Sequence, residues 1–558
     1  MRTLNGLGGL SMQSRASCRF HSVQRLHLSH LRRFSSVPSK RSDVIIGIGS
    51  NAGGVLRLQN IEKALKKIGE LVGPVVGTSC LYATSPHHSF DTSSPPSFLN
   101  ACIRIQTPLS PHESLKALKS IENMFGRNSV GTPGVASRSR VYSSRPLDLD
   151  ILFFDRLTLE SPDLSIPHPR LHTRPFVLEP LADLCPDWEH PTLKRTVAAI
   201  LLRLELSKGK ERGDGDGVVK RVFPLGSRLL WSLENRRSFD LEDDTWDLEG
   251  VKGGRLGPLP TRIMGILNVT PDSFSDGGKY FSVEKAVEQA LAMHEEGADM
   301  IDIGGESTRP GAVQPLEEEE MRRVIPVIQK IREVSPNLPI SIDTRRASVA
   351  EAAVGAGADL VNDVTGGVHD SGMAGAVSRS RASFCVMHMR GDPGTMDSLC
   401  EYEGEGGVVG EVGGALFRRL ADLSGDGGGD REAGGVIPLW RMCADVGLGF
   451  AKTPQQSLSL LRELPQIRAR LPRGVPLLVG YSRKRLIAHV INQSRSKRMS
   501  SNDASIPPAV PMEERDVTGA AAAFWCAQHH AEIVRVHDVK TTRLGRALAD
   551  GMFREAEK

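Results

Sequence analysis

Between residues 258 and 558 an apolar, strand-like run recurs roughly every 20 to 40 residues or more, usually with a helical pattern after it. The runs are Ile263–Val269, Met300–Gly304, Ile340–Asp343, Leu360–Val364, Phe384–Met389, Trp440–Asp445, Leu477–Gly480 and Ile533–Val536. Eight strands alternating with helices predict a (β/α)8 TIM barrel, because parallel strands buried on both faces read as unbroken apolar runs. Each run also ends in polar residues: Asn268, then Glu306 with Thr308 and Arg309, Asp343, Asn362, His388, Asp445, Ser482 with Arg483 and Lys484, and Arg535 with His537. A barrel collects those strand ends on the one face where active sites are built.

One core cannot absorb all 558 residues, so further domains are expected. Residues 43–205 have a different texture. Asp43–Asn51 reads as a buried strand entering a turn. Asn60–Leu71 and Glu113–Phe125 carry helical spacing, and a strand follows at Leu147–Phe154. That mixture predicts an α+β domain of ferredoxin-like type. Residues 206–257, opening on Lys208–Gly217, are charged and Gly-rich and read as a linker. Ser424–Gly435 and Asn492–Glu514 read as loop insertions into the barrel, whereas Val408–Leu423 keeps helical spacing.

A net charge of +4 is small for this length and argues against nucleic acid as a partner. No apolar run approaches the roughly 18 residues a membrane helix needs. Eight scattered cysteines without a CxxC pair predict reduced thiols, with neither zinc site nor disulfide scaffold. Met1–Ser42 contains no Asp or Glu, while Arg2, Arg15, Arg19, Arg25, Arg32 and Arg33 are spread among serines and histidines. That composition suits a mitochondrial (matrix) targeting peptide better than a plastid one, the alternative being a plain disordered tail.

Within 43–205 the sharpest signal is Arg145-Pro-Leu-Asp148-Leu-Asp150. Side chains alternate along a strand, so Asp148 and Asp150 share a face while Leu147, Leu149 and Ile151 turn to the core. Two carboxylates form an oxygen platform for Mg2+, which takes its other ligands from water and phosphates. Arg127, Arg138, Arg140 and Arg145 before the pair, and His168, Arg170 and Arg174 after it, suit a polyphosphate. With Gly47-x-Gly49-Ser50-Asn51, Phe98-Leu-Asn100, Glu122, Gly126-Arg127 and Ile166-Pro-His168-Pro, residues 44–200 resemble 6-hydroxymethyl-7,8-dihydropterin pyrophosphokinase. The resemblance implies ATP as co-substrate and magnesium on Asp148 and Asp150. It places Arg127, Arg145, His168 and Arg174 on the phosphates, and Thr84, Asn100, Phe176 and Glu122 with the substrate. The loop 128–144 is longer than the family's and lacks its tryptophan.

In the barrel, Asp343, Asn362 and Asp445 offer acceptors for the amino and N–H groups of a heterocycle, and Lys484 offers a donor. Thr308 and Arg309, then Arg535 and His537 on alternate positions of the last strand, suit an anion. Met387 reads as barrel lining, and His388 as an interior histidine. Ile263-Met-Gly-Ile-Leu-Asn268-Val-Thr-Pro-Asp-Ser-Phe274-Ser-Asp-Gly-Gly, with these clusters, resembles dihydropteroate synthase over residues 261–555. The resemblance implies Asp343, Asn362, Asp445 and Lys484 on the pterin, with Met387 in the pocket wall. Asn268, Thr308, Arg309, Arg535 and His537 fall to the pyrophosphate and its metal, and Phe274, Pro310, Phe450 and Ser482 to p-aminobenzoate. The chain has Asp445-Val446-Gly447 where the family has Asp-Pro-Gly. The order of the two halves is similar to plant and algal fusions, and the synthase family implies a homodimer or higher homo-oligomer. The alternatives for the barrel are a methyltetrahydrofolate-type methyltransferase and a non-catalytic pterin-binding scaffold.

Overall fold

The computed structural model describes residues 41–85, 97–126, 146–208, 219–226, 229–232, 238–240, 261–270, 282–306, 314–392, 394–425, 435–496 and 509–553. The expected targeting segment up to residue 40, the loop 128–144 and most of Ser424–Gly435 therefore lie outside the described residues, while Ser42, expected to end that segment, opens the first strand.

The N-terminal sheet is built on β1 (Ser42–Ser50), which pairs antiparallel with β4 (Phe98–Thr107) on one side and β5 (Asp148–Phe154) on the other. β2 (Val75–Thr78) and β3 (Leu81–Thr84) both pair with β4, and β6 (Leu159–Glu160) and β7 (Ser165–Ile166) form a separate small ribbon. Strand alternation sorts the layers. Val44, Ile46 and Ile48 join a core with α1 (Leu56–Leu71) and α2 (Pro111–Met124). Ile45 turns to the opposite core, shared with α3 (Pro175–Leu184) and α4 (Val197–Lys208). α2 starts where it does because Ser110 and Glu113 form a reciprocal capping box and Pro111 occupies the first turn.

The expected linker is not a spacer throughout. Its residues 219–240 supply β8 (Val219–Leu225), β9 (Leu229–Ser232) and β10 (Ser238–Asp240). β8 extends the sheet by pairing with β3, Tyr82 opposite Arg221 and Thr84 opposite Val219, and β9 and β10 follow antiparallel. This addition also serves the barrel. Phe223, Leu225 and Trp231 pack with Met264, Met300, Leu360, Cys385, Cys443, Leu478 and Ile533, a layer near the N-terminal ends of the barrel strands. The Ser383 hydroxyl donates to the Pro224 carbonyl at 2.5 Å, and Arg262 lies 4.4 Å from the Trp231 ring. The hairpin thus closes the bottom of the barrel.

The eight apolar runs become β11 (Arg262–Asn268), β12 (Met300–Gly304), β13 (Ile340–Asp343), β14 (Leu360–Asp363), β15 (Ser383–Met387), β16 (Met442–Asp445), β17 (Leu477–Val479) and β18 (Ile533–Val536). They are parallel and close in chain order, β18 returning to β11. The Val408–Leu423 periodicity is the helix Gly407–Ser424, ended by Gly425 in the left-handed region at φ +105. The insertion expected at Asn492–Glu514 is corrected at both ends, where the helices Arg485–Ser496 and Met512–Gln528 run into it. Leu486 and Ile487, buried in the barrel core, anchor the first of them.

Candidate active sites

In the N-terminal domain Leu147, Leu149 and Ile151 are buried, while Asp148 and Asp150 stay half-exposed on the other face. Register places Gly49 of β1 between Asn100 on β4 and Asp148 on β5, with Gly47 opposite Asp150. A Cβ at Gly49 would sit 2.9 Å from the Asn100 side-chain oxygen, so the glycine keeps the floor open between that amide and the carboxylates. Asn100 donates to the Thr84 hydroxyl at 2.8 Å, which brings the two expected pterin residues together. Ser50 and Asn60 both donate to the Pro146 carbonyl, at 2.7 and 3.0 Å, and fix the entry to β5.

His168 takes the Arg170 amide on Nδ1 and turns Nε2 to Asp150 at 3.9 Å. Burial holds its pKa below the ordinary value, against the pull of the Asp150 carboxylate. The Arg174 guanidinium stands 5.5 Å from the Phe176 ring. Glu122 lies under β5 and accepts the Leu149 amide at 2.8 Å, with Lys119 at 2.9 Å. Its place is behind the strand that carries the aspartates. Arg127 and Arg145 lie outside the described residues.

The barrel site is a connected floor. Arg535 donates from Nε to Asp302 and from NH2 to Asp343, both at 2.5 Å. Asn362 donates to the same Asp302 oxygen at 3.1 Å. Burial pushes the Asp343 carboxyl up to about 7, with Arg535 opposing and Asp302 adding to the rise. Burial also raises Asp445, whose Oδ1 accepts the Gly447 amide at 2.8 Å, with Lys484 opposing. Lys484 itself is pulled down to about 8 by burial, Asp445 opposing. Its ammonium bonds the Leu448 carbonyl and lies 4.4 Å from the Phe450 ring.

Met387 ends β15 directly opposite Asp445 on β16 and is buried. Ser482 contacts His537 twice, accepting its amide and meeting its Nδ1, each at 3.1 Å. Asn268 ends β11 opposite Gly304, half-buried. Thr308, Arg309, Phe274 and Pro310 lie outside the described residues.

Asp302 and Lys452 escaped the sequence reading. Asp302 was visible as a lone acid inside the apolar run Met300–Gly304, a position a charge occupies only with partners. Lys452 gave no such signal, since one lysine after a glycine-rich turn is ordinary.

An open sheet face with paired carboxylates, joined to a barrel floored by acids, an amide and two cations, defines a two-site enzyme for a polar heterocycle and its phosphates. Residues 45–186 match the 7,8-dihydro-6-hydroxymethylpterin-pyrophosphokinase family and residues 264–537 the pterin binding enzyme family. The folate synthesis bifunctional protein of Arabidopsis thaliana is 36% identical over 533 residues, covering 92% of this chain and 96% of that one. The mitochondrial folate synthesis bifunctional protein of Pisum sativum is 34% identical, covering 100% and 98%. The wild-type Plasmodium falciparum HPPK-DHPS structure with pterin and p-hydroxybenzoate shares the fold, with a TM-score of 0.66 at 24% identity, over 93% of this chain and 97% of that one. The chain belongs to the bifunctional folate-synthesis family, which joins hydroxymethyldihydropterin pyrophosphokinase and dihydropteroate synthase, and it carries both activities. That answers the methyltransferase alternative. ATP is the co-substrate of the kinase half.

Proposed function

We propose that Asp148 and Asp150 hold Mg2+ and the ATP phosphates, while Thr84, Asn100 and Phe176 seat the dihydropterin. The donor set fits magnesium. Two same-face carboxylates leave room for water and phosphate oxygens, and no cluster of three or more His, Cys, Asp or Glu ligands occurs among the described residues. Bound magnesium supplies charge neutralisation on the phosphates. The hydroxymethyl oxygen attacks the β-phosphorus, the α–β bridging bond breaks, AMP leaves, and the hydroxyl proton passes to solvent. His168, whose Nδ1 accepts the Arg170 amide, donates from Nε2 toward the phosphates.

In the barrel, Asp343, Asn362 and Asp445 accept from the pterin amino and ring N–H groups while Lys484 donates to its carbonyl. Pyrophosphate departs toward Arg535, His537, Asn268, Thr308 and Arg309. The p-aminobenzoate nitrogen then bonds the exocyclic methylene carbon and loses a proton. The observation that carries this reading is the bonded group Asp302, Asp343, Asn362 and Arg535, which gathers acceptors and a cation from four strands of the barrel. For the kinase half, Asp150→Ala removes ATP-dependent formation of pterin pyrophosphate and leaves the synthase active on pterin pyrophosphate supplied directly. Substantial ATP-dependent product from that variant rules out the metal assignment.

A homo-oligomer through the last two helices is supported by an exposed apolar stripe. Leu544, Leu548 and Met552 follow at four-residue spacing on Val539–Phe553, with Val517 exposed on the adjacent helix. Leu548→Asp then lowers the mass seen by light scattering, and a monomeric parent protein refutes the stripe's role. Mitochondrial import is supported by the acid-free, Arg-rich residues 1–42 and by the pea relative's designation. Failure of residues 1–42 to carry a fluorescent protein into mitochondria overturns it.

A further inference from the structure

Lys452 is 2% exposed, deep beside the synthase pocket, and belongs to none of the groups assigned above. Its ammonium lies 2.9 Å from the Phe450 carbonyl, 3.0 Å from the Gly447 carbonyl, 3.2 Å from the His388 carbonyl and 3.0 Å from the His388 ring nitrogen Nδ1. Three carbonyls from two loops thus converge on one cation. The turn they define is crowded. A Cβ at Gly447, where φ is +64, would lie 2.1 Å from the His388 carbonyl oxygen, so the 447 backbone presses on the end of β15. Asp445 accepts the Gly447 amide from the near side, and the Tyr402 hydroxyl donates to the Ala451 carbonyl at 3.0 Å from the far side. Between those fixed points the Phe450 ring stands 4.4 Å from the Lys484 ammonium.

We propose that Lys452 is a positioning residue for the arylamine half of the synthase site, gathering the 388, 447 and 450 carbonyls onto one cation and so fixing where the Phe450 ring stands over Lys484. The chemistry suits lysine. Converging carbonyl dipoles repel one another unless a compact charge sits among them, and an ammonium offers three N–H donors in three directions. A guanidinium presents its donors in one plane and cannot satisfy a cluster that closes around a point. Burial and the Lys484 charge pull Lys452 down to about 7, and burial beside Lys452 pulls His388 down to about 3, so the three carbonyls are what hold the ammonium charged against its surroundings.

This rests on the assignment of Phe450 to the p-aminobenzoate pocket, and the two are separable. In the full-length protein, Phe450→Ala tests the assignment alone: an unchanged KM for p-aminobenzoate overturns it. Lys452→Met keeps the side-chain length and removes the charge and its donors. With pterin pyrophosphate saturating, its KM for p-aminobenzoate rises about 10- to 100-fold, the scale of a small misplacement in a reacting pair. kcat falls less, the kinase rate is unchanged, and the affinity for a phosphate-free dihydropterin analogue holds. Lys452→Arg does not restore the parent KM. If Lys452→Met does not fold, Tyr402→Phe loosens the same turn without touching the buried charge and gives a smaller rise in the same KM. An unchanged p-aminobenzoate KM in a folded variant while Phe450→Ala raises it, or pterin affinity falling in step with that KM, overturns the proposal.

Discussion

Arg535 answers to two masters, Asp302 through Nε and Asp343 through NH2, so its loss leaves two buried carboxylates facing each other. Breaking a buried pair by removing one partner typically costs about 3–5 kcal/mol, because the remaining charge is uncompensated. Leaving-group stabilisation and pterin recognition, separable on the sequence reading, are therefore joined at this guanidinium. Lys484 is the residue whose charge can be tested by pH. Its folded-state pKa of about 8 lies below the ordinary 10.5, so from about pH 8 to 10.5 the unfolded chain holds more protons than the folded one. Stability from this group accordingly rises with pH across that window. Donation to the pterin carbonyl runs the other way, since a neutral amine is the weaker donor. Affinity for a phosphate-free dihydropterin analogue falls as pH passes upward through about 8 in calorimetric titration, and Lys484→Arg flattens the fall. Constant affinity from pH 7 to 9.5 in the parent protein contradicts the assignment of Lys484 as a charged pterin donor.

Elements whose partners are neighbours in the chain were legible. Met300–Gly304, Ile340–Asp343 and Ile533–Val536 are strands over the ranges their apolar runs occupy, and the glycine-interrupted helix at Gly407–Ser424 followed from spacing alone. Trp440, by contrast, reads as the start of a strand, yet β16 begins at Met442 and the indole joins the core of the N-terminal sheet. The β8–β9 hairpin was hidden for the same reason. Val222, Phe223 and Leu225 form a short run in charged, Gly-rich surroundings, and their burial depends on β3 and on barrel residues as distant as Ile533. Local pattern carries no record of such partners. The aspartate pair was legible because strand alternation alone separates it from the core, whereas the Glu122 bond to the Leu149 amide required the tertiary fold.

At the scale of the whole molecule, the two catalytic halves share interior. Phe223, Leu225 and Trp231 come from the hairpin that extends the N-terminal sheet and complete the bottom layer of the barrel, while Trp440 crosses the other way. Polar contacts add to them: the Tyr82 hydroxyl donates to Asp183 at 2.6 Å and Arg221 to the Tyr82 oxygen at 2.9 Å within the N-terminal half, and the exposed Arg473 of the barrel reaches across to Glu179 at 3.1 Å. The Leu439 amide donates to the Thr78 hydroxyl at 2.7 Å across the same junction. Burying one large apolar side chain stabilises by about 1.5–3 kcal/mol, so the four shared side chains contribute roughly 6–12 kcal/mol. That is comparable with the whole stability of an ordinary domain, about 5–15 kcal/mol. Separate unfolding is the usual expectation for two domains, but here neither half can open and leave the other at full stability. Calorimetry of the full-length protein accordingly gives one unfolding transition. Trp231→Ala, which opens the barrel floor from the sheet side, moves that single transition down as a whole rather than splitting it. Two resolved transitions in the parent protein would mean that the hairpin is a removable plug and that the halves merely touch.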